Sequence, residues 1–317
     1  MSDSIYWKRR VSLILVKGED ALDLSDFRIV FKTGQADTQS PNNCRIRVFN
    51  LKAETVAQVK GEYSEVVLQA GYQNGNFGVI FRGTIRQFVT GKDENGTDTY
   101  LDLLAADGDT LYNWGFINRS FPAGSTPKDR AQTMADKAVD STGQLLAAMG
   151  HNGIAGVLPA PRGKVVFGLM RVALTAEAGA QGCTWSIQNG KINILPIDGY
   201  LPNEAVVLSS TTGLVGRAEQ TNEGVHARSL LNPLLQPGGL IKIDNASVNQ
   251  TSNADAKSTV MVPYNQWTGA QFLADVTADG LYRVFVVEHE GDSRGGNWYS
   301  NIVALAVNPS TGKVSAQ

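Results

Sequence analysis

The segment from Glu223 to Asn245, EGVHARSLLNPLLQPGGLIKIDN, restricts the fold of this chain more than any other stretch. It reads as an apolar strand ending at Leu231, a corner bracketed by Pro233 and Pro237, and a second strand. That second strand alternates Leu240, Lys242 and Asp244 with Ile241 and Ile243. Neither proline can donate to a sheet ladder, and Gly238-Gly239 permits a turn with positive φ. Leu230, Leu231, Asn232, Pro233, Pro237 and Gly238 are therefore expected to form a structural corner. No residue type that a reaction needs is fixed there, so the segment makes a shape.

The rest of the chain has the same texture in two blocks. Alternating or apolar runs recur at 11–16, 27–32, 43–49, 65–71, 78–88 and 99–105, separated by turn signals such as Asn74-Gly75. Lys52–Lys60 breaks the pattern with good helix formers. From Asp107 the character changes. Thr126-Pro127-Lys128-Asp129 supplies an N-cap, a proline at the first helical position and an acid at the third. Val165–Gly182 reads as a second helix, residues 145–149 as a short turn, and Asn189-Gly190 as a hairpin between 184–187 and 191–195. After 203 the chain returns to strands at 205–208, 215–220, 224–231, 240–245, 280–290 and 299–307, with a polar loop at 249–262 and a short strand or turn at 270–275. The expected fold class is mainly β with an α+β insert. A β-barrel unit over 1–106 and another over 203–317 flank an α+β unit over 107–202. No tandem repeat is visible, although the two β units could be a duplication that the sequence has lost.

Of the 317 residues, 42% are hydrophobic and 18% are charged, which is enough apolar material for cores and excludes a disordered chain. The net charge is −2, so there is no basic nucleic-acid footprint. The apolar run at 11–16 is too short for a signal peptide, and no run is long enough to span a membrane. Cys44 and Cys183 read as two reduced thiols. His151, His226 and His289 are isolated, and no metal-ligand spacing or phosphate loop occurs, so neither metal nor cofactor is expected. His289-Glu290-Gly291-Asp292-Ser293 holds a base, two acids and a hydroxyl, but it lacks the strand-turn-helix setting of a nucleophile and reads as a turn. No two carboxylates are marked as facing one cleft, and no catalytic residue is assigned. Trp298 and Tyr299, between a glycine turn and a strand, are the candidates for contact with another subunit or partner.

Pro41–Leu51 (PNNCRIRVFNL), Gly224–Gly238 and Gly280–Gly295, in this order, resemble the baseplate hub proteins of contractile-tailed bacteriophages. The resemblance implies two tail-tube-like barrels per subunit and a homotrimer, so that three copies form a ring of six barrels. It also implies no enzymatic activity and synthesis in the host cytoplasm. The resulting place is the virion baseplate, with the tail tube or tube-initiator ring on one face, a central spike on the other, other baseplate proteins around it, and DNA passing through the lumen without specific binding. It leads to the expectation that Asp93, Glu94, Asp102, Asp107 and Asp109 lie nearer that lumen than Lys and Arg do. A hexameric tube-initiator or distal-tail ring, and a cell-wall hydrolase or carbohydrate-binding module, are the alternatives.

Overall fold

A computed structural model describes residues 8–138, 146–155, 158–221, 224–243, 248–249, 280–308 and 311–314. Most of the loop expected at 249–262, and all of 270–275, lie outside the described residues. The first β unit comprises β1 (Arg9–Lys17), β2 (Asp20–Asp23), β3 (Ile29–Ala36), β4 (Asn42–Phe49), α1 (Ala53–Glu62), β5 (Glu65–Tyr72), β6 (Phe77–Lys92) and β7 (Thr99–Asp107). Strict alternation makes the layer: along β3, Ile29, Phe31, Thr33 and Gln35 are buried while Lys32 is exposed. The 16-residue β6 changes partner along one continuous sheet. Its first half pairs with β5, and from Thr84 onward it pairs with β7 across a bulge at Ile85–Gln87. Leu13, Ile46, Leu68, Phe81 and Leu103 are completely buried between the layers so formed.

The insert comprises α2 (Asp109–Trp114), β8 (Phe116–Phe121), α3 (Pro127–Asp136), β9 (Ala148–Asn152), β10 (Lys164–Leu169), α4 (Met170–Gly179), β11 (Cys183–Gln188) and β12 (Lys191–Pro196). The expected start of α3 is present as a reciprocal capping box: Asp129 N–H donates to Thr126 Oγ1 at 3.1 Å, and the Thr126 N–H donates to the Asp129 carboxylate. Asn189 (φ 55°) and Gly190 (φ 78°) turn β11 into β12. Two expectations fail. Val165–Gly182 is not one helix, because its first residues form β10, paired with β8, and α4 begins only at Met170. β-Branched and aromatic side chains at 165–167 pack better on a ribbon than on a helix turn. Similarly, residues 148–149 begin strand β9 rather than a turn, since they pair with β12.

The second β unit comprises β13 (Val206–Leu208), β14 (Ala218–Thr221), β15 (Gly224–Leu230), β16 (Leu240–Ile243), β17 (Val248–Asn249), β18 (Leu281–Asp292), β19 (Trp298–Asn308) and β20 (Lys313–Val314). It repeats the first unit. One sheet runs β3-β4-β7-β6 and the other runs β14-β15-β19-β18. In both, the four strands appear in the same chain order and every neighbour pair is antiparallel. β18 also reproduces the bend of β6: its start pairs with β16, and a bulge at Val284–Val286 leads into its main run. The two sheets are one, because β18 pairs with β3 from Val286↔Ala36 to Asp292↔Val30.

Candidate functional site

The corner lies where the three units meet. Leu231 is fully buried in the core of the first β unit, beside Trp298, whereas Leu235 is buried in the core of the second. The Pro233 ring packs on Gly78, and Asn76 Nδ2 donates to Asn232 Oδ1 at 3.2 Å, so the tip of the β5–β6 hairpin grips the corner. Gly238 (φ 80°) approaches the insert. A Cβ there would stand 2.6 Å from Leu195 Cδ1, and its carbonyl accepts from Leu201 N–H at 2.8 Å. Leu230 is half-buried against the first core, and Asn232 turns the chain by accepting from Leu234 N–H at 3.1 Å. Replacing Leu231 by alanine is expected to cost ~2–5 kcal/mol of stability. An unchanged denaturation midpoint would remove Leu231 from the core.

A buried histidine holds the corner in place. Ser300 Oγ accepts from Asn232 N–H at 3.1 Å and stands 2.8 Å from His289 Nδ1. The ring also hydrogen-bonds the Leu235 backbone. His289 is neutral in this setting, and burial pushes its pKa down to about 4. His289 is not paired with Ser293: it bonds Ser300, while Ser293 Oγ accepts from Ile29 N–H at 2.9 Å. Asp292 accepts from Arg294 N–H at 2.9 Å and pairs with Arg28 at 2.7 Å, as a turn residue does.

Trp298 differs from its expected place. It is 1% exposed, stacked edge-on against Phe31 with ring centres 5.5 Å apart, and so belongs to the core rather than to a contact surface. Alternation along β19 turns Trp298 inward and Tyr299 outward. Tyr299 lies half-buried on the outer face, under the guanidinium of Arg228 at 4.0 Å.

That outer face, common to both β units, is polar and carries ion pairs. Lys32 pairs with Glu288 at 3.2 Å and Arg228 with Glu290 at 2.7 Å. Asp102 receives Arg45 at 2.5 Å and Arg47 at 2.6 Å. Burial opposes ionisation of Asp102, but hydrogen bonds from Arg47 and Arg45 outweigh it and hold the carboxyl below its ordinary range. Of the five acids expected near a lumen, Asp102 is matched by two arginines, Asp109 pairs with Arg86 at 2.8 Å and Asp107 is buried, while Asp93 is half-buried and Glu94 exposed.

Asp107 instead docks the insert. Its carboxylate accepts the N–H groups of Asn189 and Gly190 at the β11–β12 turn. Around it, Asn42 Nδ2 donates to Ile187 O at 2.7 Å and Gln188 Nε2 to Ala36 O at 2.8 Å. Burial pushes the Asp107 pKa up to about 6 despite these donors. A second buried tie, the Arg283–Asp37 ion pair, joins β18 to the end of β3, and Arg283 also donates to Ile197 O of the insert at 2.9 Å. Sequence reasoning singled out Asp107 as a lumen acid and His289 as a turn residue, and missed their structural roles because these depend on partners more than 80 and 50 residues away, respectively.

No protein-family model and no curated protein matches the sequence. Solved structures do match. The tail protein from Neisseria meningitidis MC58 superposes with a TM-score of 0.54 at 10% identity, covering 94% of this chain and 96% of that one. The 43 kDa tail protein of prophage MuSo2 from Shewanella oneidensis gives 0.54 at 9% identity, covering 98% and 100%. The E. coli c3393 protein, a type VI secretion component described as structurally similar to the T4 bacteriophage tail proteins gp27 and gp5, gives 0.53 at 12% identity, covering 98% and 79%. At such identities the likeness establishes the fold. This chain therefore shares the mainly β fold of these tail proteins.

Proposed function

We propose that this protein is a structural baseplate hub that works as a homotrimer, joining a six-fold tail tube to a three-fold spike and catalysing no reaction. The observation that carries this reading is the internal repeat. Within one chain, β3 of the first unit pairs with β18 of the second. By the strand correspondence, β14 is the second unit's counterpart of β3, and β6 is the first unit's counterpart of β18. Among the described residues, β6 beyond Thr84 pairs only with β7, and β14 pairs on its outer side with β17 at Ala218 and Glu219. Repeating the internal contact between chains would join β14 of one copy to β6 of the next. A head-to-tail contact of this kind closes when its rotation closes. Two units per chain make three copies the way to six positions, which favours the trimer over a hexameric tube-initiator ring. A sheet face with its charges already paired would suit the passage of DNA without binding it.

Light scattering of the chain, alone and with a trimeric spike protein, tests the reading. A three-fold mass supports it. A hexamer points to a tube-initiator or distal-tail ring, and a monomer indifferent to the spike refutes it. Val89 sits on the open part of β6 and is 36% exposed. Val89→Lys is expected to leave the fold intact and weaken ring closure at least about tenfold, because a lysine blocks a sheet edge. Unchanged assembly would place the ring contact elsewhere.

A further inference from the structure

Each β unit marks its register with a bulge, so the repeat can be followed residue by residue. In β6 the bulge separates Ile85, opposite Ala105, from Gln87, opposite Leu104. In β18 it separates Val284, opposite Ala304, from Val286, opposite Val303. Aligned on the bulges, Gln87 matches Val286 and Asp93 matches Asp292. The turns that follow agree with this. Asp93 N–H donates to Asp98 O at 2.8 Å, as Asp292 N–H does to Asn297 O at 2.9 Å. Gly96 N–H donates to Asp93 O at 2.7 Å, as Gly295 N–H does to Asp292 O at 3.3 Å. Each carboxylate also accepts from a turn N–H at 2.9 Å, that of Glu94 for Asp93 and that of Arg294 for Asp292. Carried across β7 and β4, and across β19 and β15, the same alignment matches Lys32 of β3 with Glu219 of β14.

The two aspartates differ in their cations. Arg28, immediately before β3, crosses the joint between the units and pairs with Asp292 at 2.7 Å. Asp93 has no ion pair among the described residues. The cations whose field reaches its turn, Arg28 and Arg47, are committed to Asp292 and Asp102.

We infer that Arg217 of one copy supplies the missing cation to Asp93 of the next, so that one ion pair across the joint is made six times in the ring, alternately within and between chains. The inference rests on the trimeric reading given above and names the side chains that lock its contact. Repeating the β3–β18 register between copies sets Val89 opposite Thr221, Thr90 opposite Gln220, Gly91 opposite Glu219 and Lys92 opposite Ala218. Arg217 stands immediately before β14, as Arg28 stands immediately before β3, and it is exposed. One step beyond the Lys92–Ala218 pair it lies beside Asp93. Opposite charges facing each other across adjacent strands stabilise the pairing, and here they also fix its register. Within the single chain β17 pairs in parallel with Ala218 and Glu219. That short contact covers the edge of β14 until the longer antiparallel ladder with the next copy replaces it.

Charge reversal in the full chain tests the pair. Circular dichroism establishes that each variant is folded, and light scattering measures assembly, alone and with a trimeric spike protein. Arg217→Asp and Asp93→Arg are each expected to weaken trimer formation at least about fivefold, because each sets like charges across the joint. The chain carrying both changes is expected to assemble as the wild type does. Single variants that assemble normally, or a double variant as weak as the singles, overturn the pair and leave the trimeric hub intact. If a reversal prevents folding, Arg217→Gln, Asp93→Asn and their double variant carry the test, since asparagine keeps the oxygen that accepts from Glu94 N–H. A double variant no weaker than either single supports the pair, and additive losses overturn it. A wild-type chain that forms no trimer, with or without the spike, overturns the hub reading and the pair together.

Discussion

Replacing Trp298 by alanine is expected to destabilise the protein by about 3–5 kcal/mol, as a folding defect rather than an assembly defect. The indole is buried beside Phe31 in the core that Leu231 also joins, and the guanidinium of Arg9 lies 5.6 Å from its ring centre. Room for it is made by Gly291, directly opposite in β18, where a Cβ would stand 2.5 Å from Phe31 and 2.7 Å from Trp298. Gly291→Ala should therefore be destabilising as well, through overpacking rather than a cavity. Trp298→Phe should be milder, because the indole N–H has no acceptor among the described residues and only volume is lost. Denaturant titration followed by tryptophan-independent circular dichroism gives the measurement. A Trp298→Ala chain that keeps its midpoint yet loses self-association would return Trp298 to the contact surface.

A pair of opposed pH dependences is the second large expected effect. His289 is held neutral, with its folded pKa near 4 against an ordinary value of 6.5. The unfolded chain binds the proton more readily, so this contribution is complete above pH 6.5 and is lost as pH falls through 4. Asp107 has the opposite sign. Its folded pKa is raised to about 6 from an ordinary 3.8, so its contribution is complete below pH 3.8 and is lost as pH rises through 6. Each amounts to about 3 kcal/mol. Between pH 4 and 6 the two slopes oppose each other, and each single variant exposes the other. Asp107→Asn should make stability climb more steeply with pH in this window, and His289→Gln should make it decline. Urea midpoints at several pH values would read both. Parallel pH profiles for wild type and both variants would show that neither group titrates as its burial requires.

The polar ties and the apolar cores have different consequences for evolution of the interface. Asp107 and Asn42 fix the insert to the first β unit through backbone groups of the β11–β12 turn, so the insert's outer surface can change without altering its attachment. The ribbon of β8 and β10 is on that freer surface. The corner is the reverse case. Leu231, Leu235 and Gly238 each enter a different unit, so a change at any one of them disturbs how two β units and the insert meet.

Local chemistry determined a large part of this protein from the sequence alone. Period-two burial set β3, β4, β5, β7, β15 and β19, because side chains on successive residues must face opposite sides of a strand. Thr126, Pro127 and Asp129 set the start of α3, and Asn189-Gly190 set a hairpin, because each satisfies its own backbone demands within a few residues. What only the tertiary structure decided involves partners remote in sequence. Val165–Phe167 suits a strand or a buried helix by composition, and β8, more than 40 residues earlier, made it a strand. Trp298 looked like a contact residue until alternation along β19 and the space beside Gly291 turned it into the core. The edge pairing of β3 with β18, which makes one sheet from two units, has no signature in either strand. Backbone hydrogen bonds carry no residue identity, so the repeat survives in strand order and bulge position where the side chains no longer record it.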